Sequence, residues 1–219
     1  MNDFQVYNAG WPGDTTVELL ERFDRDVAAR LPDLVCLLVG SNDMLYPGHM
    51  LDLATFRANL EELLDRIAET GAKTIMFTAP RFLQSLLIEN FPDTIKHPLS
   101  TLERLERLND TIREIAAMRG NVLVDLYKLI DPVDESANSL LLNVANSGRR
   151  DGMHFTAVGC AVAAEAVYKI CAKRYPQAHS IVCFGDSLTY GVYMKGKGTA
   201  DPDADTYPGQ LYKLLVNQD

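Results

Sequence analysis

Short apolar runs of β-forming residues, alternating with longer stretches of helical period, constrain this chain more than any other feature. The runs are Phe4 to Tyr7, Leu34 to Val39, Thr74 to Thr78, Asn121 to Leu126 and Ile181 to Phe184. Between them Phe56, Leu60, Leu63, Leu64 and Ile67 recur mainly at steps of three and four, as do Leu102, Leu105, Ile112 and Ile115. Val17, Leu20, Val27 and Leu31 give another such set. That spacing gathers apolar side chains on one side of a helix. Runs so evenly apolar suit parallel strands covered on both faces, and strands alternating with helices predict a doubly wound α/β domain. Ligands of such sheets bind beyond the carboxyl ends of the strands, so the turn after each strand is where chemistry is sought.

Nothing of linker-like composition divides the 219 residues, which predicts one domain over 1–219. A net charge of -9 without any basic run argues against nucleic acid or an acidic membrane as partner, because phosphates are held mainly by clustered Lys and Arg. A small-molecule partner is expected instead. Cys36 and Cys183 sit in apolar runs and Cys160 and Cys171 in a late helical pattern, so buried reduced thiols are expected rather than a zinc or redox site. The chain start lacks a basic region followed by an apolar stretch, and no run reaches the roughly 18 apolar residues of a membrane span. A cytoplasmic location is the expectation.

Three strand ends carry candidate chemistry. "YNAGWPGDT" follows the first run and places Gly10 and Gly13 in a turn before a helix that starts near Asp14, Thr15 or Thr16. "GSND" follows the second, with Gly40 suited to a tight turn and Asn42 offering a side-chain amide. "GDSLTYG" follows the last, presenting Ser187 in a sharp turn after a strand. Ahead of it in the chain, "DGMHFTAVG" sets Asp151 three residues before His154, at the mouth of a helix beginning near Thr156. A serine hydroxyl needs a neutral imidazole to take its proton and a carboxylate to hold that imidazole's tautomer. At this spacing the Asp151 carboxylate can turn back onto one ring nitrogen and leave the other for Ser187. Donors for the oxyanion are expected from the N–H groups of Ser187 and Gly10 and from the Asn42 amide.

Taken together, Ser187 in "GDSLTYG", Gly10 in "NAGWPG", Asn42 in "GSND" and His154 in "DGMH" resemble the four blocks of the SGNH hydrolases, the GDSL esterase and lipase family. The resemblance implies a flavodoxin-like three-layer α/β/α fold with a five-stranded parallel sheet. It also implies ester or thioester hydrolysis through an acyl-serine intermediate, with Ser187, His154 and Asp151 as triad and neither metal nor cofactor. An acyltransferase, a carbohydrate O-acetylesterase and a ligand-binding relic are the alternatives. In the family the serine block comes first, whereas here the order is Gly, Asn, Asp-His, Ser, so the chain is expected to be circularly permuted. The strand Ile181 to Phe184 is then expected between the strands at Phe4 and Leu34. It reaches that place within its own chain, as a monomer or an ordinary dimer, or in a neighbour's sheet as a domain-swapped dimer.

One competing motif, "GVYMKGKG" from Gly191 to Gly198, matches part of a phosphate-binding P-loop. Gly198 stands where a Ser or Thr would hold magnesium, so a loop lining the substrate cleft is expected there. The pocket itself is expected from Arg81 to Ser100 and from Asp131 to Arg150.

Overall fold

A computed structural model of the chain describes residues 4–131 and 133–217. Five strands form one parallel sheet: β1 (Gln5–Gly10), β2 (Leu34–Leu38), β3 (Lys73–Phe77), β4 (Val122–Val124) and β5 (Ser180–Gly185). The helices are α1 (Thr16–Asp26), α2 (Ser41–Leu45), α3 (Leu53–Glu69), α4 (Gln84–Asn90), α5 (Thr101–Arg119), α6 (Leu126–Leu129), α7 (Val144–Ser147), α8 (Ala157–Arg174), α9 (Ser187–Tyr190) and α10 (Tyr207–Val216).

Every residue of β2 is buried, as a strand covered on both faces requires. Its side chains divide by the two-residue period of a strand. Leu34, Cys36 and Leu38 join a core with Ala163, Val167 and Cys171 of α8 and Leu211 and Leu215 of α10. Val35 and Leu37 join a second core with Leu19 and Phe23 of α1, Leu60 and Leu64 of α3, and Leu108 and Ile112 of α5. Two apolar layers on one sheet make the three-layer α/β/α sandwich. All four cysteines are free and buried.

The strand order is β1-β5-β2-β3-β4. β5 comes from the end of the chain yet pairs with β1 on one side, where Gly10 faces Gly185, and with β2 on the other, where Leu38 faces Gly185. Here β5 pairs with β1 and β2 of its own chain. Closure of Asp219 toward Met1 lies outside the described residues.

One helix face departs from its expected reading. Val17 and Leu31 are exposed, and α1 buries Leu19 and Phe23 instead. A capping box of Thr15 and Glu18 starts the helix and fixes its rotation, and it stops at Asp26, before Leu31.

Candidate active site

β5 stops at Gly185 and Ser187 opens α9 two residues later. Asp186 caps the turn, its Oδ1 accepting the N–H of Leu188 at 2.9 Å. Burial pushes the Asp186 carboxyl up to about 7, with the Leu188 N–H and the nearby His154 pulling the other way.

His154 and Asp151 form the expected pair. Asp151 Oδ2 lies 2.8 Å from His154 Nδ1, while its Oδ1 accepts the backbone N–H groups of Met153 at 2.9 Å and His154 at 2.6 Å. Burial opposes ionisation of Asp151, but these hydrogen bonds and the charge of His154 outweigh it and hold the carboxyl below its ordinary range. The turn is clamped from both sides. Leu83 N–H donates to Gly152 O at 2.8 Å, and Leu142 N–H donates to His154 O at 2.8 Å. Asn90 of α4 donates its side-chain amide to Arg150 O at 2.8 Å, and Arg150 pairs with Glu89.

Asn42 stands in the first turn of α2 and donates one side-chain N–H to Asp14 O at 2.8 Å. Its neighbour Asp43 is buried and accepts the Thr16 backbone N–H at 3.0 Å and the Thr16 hydroxyl at 2.6 Å on Oδ1. Asp43 Oδ2 is buried without a hydrogen-bond partner, and burial pushes this carboxyl up to about 6.

Gly10 is not brought into the site, and its expected role is corrected. Its N–H donates to Asn8 Oδ1 at 3.0 Å, and it faces a separate groove shared with Trp11, Glu18 and Tyr190. A Cβ at Gly10 would stand 2.2 Å from the Tyr190 nitrogen, so this glycine lets β1 pass against α9. Gly13, at φ +88°, lines the cavity that holds Ser187 and Asn42. Its N–H has no acceptor among the described residues. The signal was its place directly before the Asp14-Thr15-Thr16 start of α1.

Sequence reasoning missed Arg22. This nearly buried guanidinium donates to Ala9 O at 2.9 Å and Gly185 O at 2.8 Å, the ends of β1 and β5. It also binds Asp14 at 2.6 Å. One side chain thereby fixes two strand ends against the loop that carries Gly13.

Ser187, His154, Asn42 and Gly13 line one cavity of about 340 Å³ at the carboxyl ends of the strands. Leu45, Tyr46, Phe82, Leu87, Phe91 and Met153 make half of its remaining wall. No hydrogen bond joins the Ser187 hydroxyl to the imidazole among the described residues, and such contacts often tighten only with substrate bound. Arg81 to Phe91 contributes to the wall as expected. Asp131 to Arg150 does not: its described residues buttress the Asp151 turn from behind, through the Leu141 to Phe155 bridge and the Leu142 hydrogen bond. Val192 lines the cavity, and the Gly198 N–H returns to Tyr190 O at 2.7 Å, so the Gly191 to Gly198 segment closes on itself as a loop. Among the described residues no group of three or more His, Cys, Asp or Glu converges as metal ligands would, and no helix is long and apolar enough to cross a membrane.

The parallel three-layer sandwich is shared with solved hydrolases. The structure is similar to a lipase/acylhydrolase from Enterococcus faecalis, with 26% identity over 74% of this chain and 73% of that chain and a TM-score of 0.58. It is similar to an acetyl xylan esterase, with 20% identity over 74% and 78% and a TM-score of 0.58. A GDSL-like lipase from Bacteroides thetaiotaomicron gives 20% identity over 74% and 72% and a TM-score of 0.57. At 20% identity these last two speak to the fold alone. No curated protein sequence matches the chain significantly. The GDSL-like Lipase/Acylhydrolase family matches residues 1–162. The chain belongs to this family and is a hydrolase by class. Ser187 follows the matched residues, which end within α8.

Proposed function

We propose that the protein is a serine esterase that cleaves carboxylic esters or thioesters through an acyl-serine intermediate. The observation that carries this reading is the 2.8 Å contact of Asp151 with His154 at the edge of the cavity that Ser187 also lines. Ser187 Oγ attacks the substrate carbonyl carbon while His154 Nε2 takes its proton. Asp151, kept ionised, holds the proton on Nδ1 and so keeps Nε2 the acceptor. The oxyanion receives hydrogen bonds from the N–H groups of Ser187 and Gly13 and from the second amide hydrogen of Asn42. Collapse expels the alcohol or thiol, which takes its proton from His154. Water then repeats the sequence on the acyl-serine and releases the acid.

The apolar wall of Leu45, Phe82, Leu87, Phe91 and Met153 supports binding of the acyl half there. Burying one methylene is worth about 0.8 kcal/mol, or roughly fourfold in kcat/KM if it persists in the transition state. Nitrophenyl esters of acetate through hexanoate, hydrolysed without an added alcohol acceptor, should therefore show kcat/KM rising about fourfold per methylene until the cavity fills. Fastest turnover of the acetate ester would favour an O-acetylesterase, and turnover only with an added alcohol would favour an acyltransferase.

We infer further that the chain carries the family order rotated by one step. The support is threefold: β5 is an interior strand though last, the serine block follows the family match, and α10 packs on β1 and α8. A right-handed crossover from β5 to β1 would put its helix on that same face.

A further inference from the structure

The loop after the nucleophile turn takes left-handed backbone at Gly191, Gly196 and Gly198, with φ +76°, +69° and +77°, and at Tyr193, with φ +68°. A side chain with a Cβ is strained in that conformation, and glycine would occupy it freely. Tyr193 is also half exposed, so its burial gives it little return. Its surroundings account for the retained ring. The ring stands perpendicular to the His154 imidazole with centroids 5.7 Å apart, and the Arg149 guanidinium lies 4.1 Å from the ring centroid. The Arg149 side chain makes no hydrogen bond or ion pair among the described residues, so this stacking is the contact that places it. Arg149 precedes Asp151 in the chain and Tyr193 follows α9, so the pair spans the two segments that carry His154 and Ser187.

We propose that Tyr193 is a positioning residue that holds the His154 imidazole toward Ser187, with Arg149 clamping it from outside. The inference rests on the catalytic reading above. Asp151 fixes the imidazole at Nδ1, but one hydrogen bond leaves a ring free to rock, and among the described residues no hydrogen bond reaches Nε2. An aromatic ring packed across the imidazole flank supplies the second restraint, and small losses of alignment cost rate rather than affinity.

The test uses the full chain, with p-nitrophenyl butyrate as probe, and compares Tyr193→Gly, Tyr193→Phe and Ser187→Ala with the parent. Tyr193→Gly should melt at the parent temperature or higher, because the strain is relieved, while kcat falls by about tenfold or more and KM changes by less than about twofold. Tyr193→Phe should recover kcat to within about threefold of the parent, since the ring and not the hydroxyl does the positioning. A full kcat in Tyr193→Gly, an equal loss in Tyr193→Phe, or a lowered melting temperature in Tyr193→Gly would each overturn the proposal. If Ser187→Ala is inert while Tyr193→Gly turns over at full rate, this inference alone fails. If Ser187→Ala itself turns over, the catalytic reading fails and this inference with it.

Discussion

In the proposed mechanism Asn42 divides its amide between structure and chemistry. One hydrogen is spent on Asp14 O, which fixes the plane of the group, and the other is free for a developing oxyanion. A donor that acts in the transition state lowers kcat when removed and leaves KM nearly as it was. Asn42→Ala should therefore lose about 100-fold or more in kcat with a small change in KM, measured by steady-state hydrolysis of a nitrophenyl ester. A loss confined to KM would place Asn42 in substrate binding. At this scale Ser187, His154, Asp151 and Asn42 were all legible as candidates, because few side chains can supply those functions and Asp151 and His154 lie within one helical turn of each other. Gly10 and Gly13 could not be told apart by type. A glycine shows nothing in sequence of whether it admits a neighbouring backbone or opens onto a cavity, and the contacts of Gly10 with α9 exist only once β1 and β5 are paired. Arg22 was invisible for a related reason, since its acceptors Ala9 O and Gly185 O are backbone atoms that any sequence would carry.

Among the elements, α1 and α2 are joined beside Gly13 and Asn42, the proposed oxyanion donors. Thr16 at the start of α1 donates twice to Asp43 of α2, and Asn59 of α3 donates to the Thr16 hydroxyl at 3.0 Å. Asp43 thus spaces Gly13 from Asn42, at the expense of a buried carboxyl whose second oxygen is unpaired. Its folded-state pKa of about 6 exceeds the ordinary 3.8, so the folded protein keeps a proton that the unfolded chain releases. That contribution to stability is full below about pH 4 and is lost as pH rises through 6, for a total of up to about 3 kcal/mol. Asp43→Asn keeps an acceptor for both Thr16 donors and carries no charge. It should match the parent in thermal unfolding near pH 4, exceed it increasingly up to about pH 6 and keep that lead above it, and a difference independent of pH would contradict the assignment. The helices themselves were legible where caps and period agreed, as at Thr156 before α8. The face of α1 was not, because Val17, Leu20, Val27 and Leu31 share a spacing with the buried set Leu19, Phe23 and Val27 and only packing on the sheet separates the two. The same holds for the segment before Asp151, whose mixed composition suits a cavity wall as well as the buttress it forms.

For the whole molecule, the five strands and their alternation with helices were readable from the runs alone, and the interior place of β5 followed from requiring Ser187 to meet both the β1 and β2 loops. Strand bounds moved by at most three residues, as edges do where pairing rather than hydropathy decides them. The rotated order has its own test. Joining Asp219 to Met1 by a short flexible linker and reopening the chain at Ala178, in the connection between α8 and β5, should give a folded protein that hydrolyses the parent's esters. A folded but inert product would contradict the rotation. The proposed mechanism depends on Ser187, which β5 brings to a cavity lined by residues spread from Pro12 to Val192. Its most direct test is treatment of the protein with an alkyl nitrophenyl phosphonate, followed by peptide mass mapping and residual activity on p-nitrophenyl butyrate. One phosphonyl group is expected, on Ser187, with activity falling in step with labelling and with no label in Ser187→Ala. Full activity in a protein labelled at Ser187, or loss of activity with Ser187 unlabelled, would contradict the mechanism.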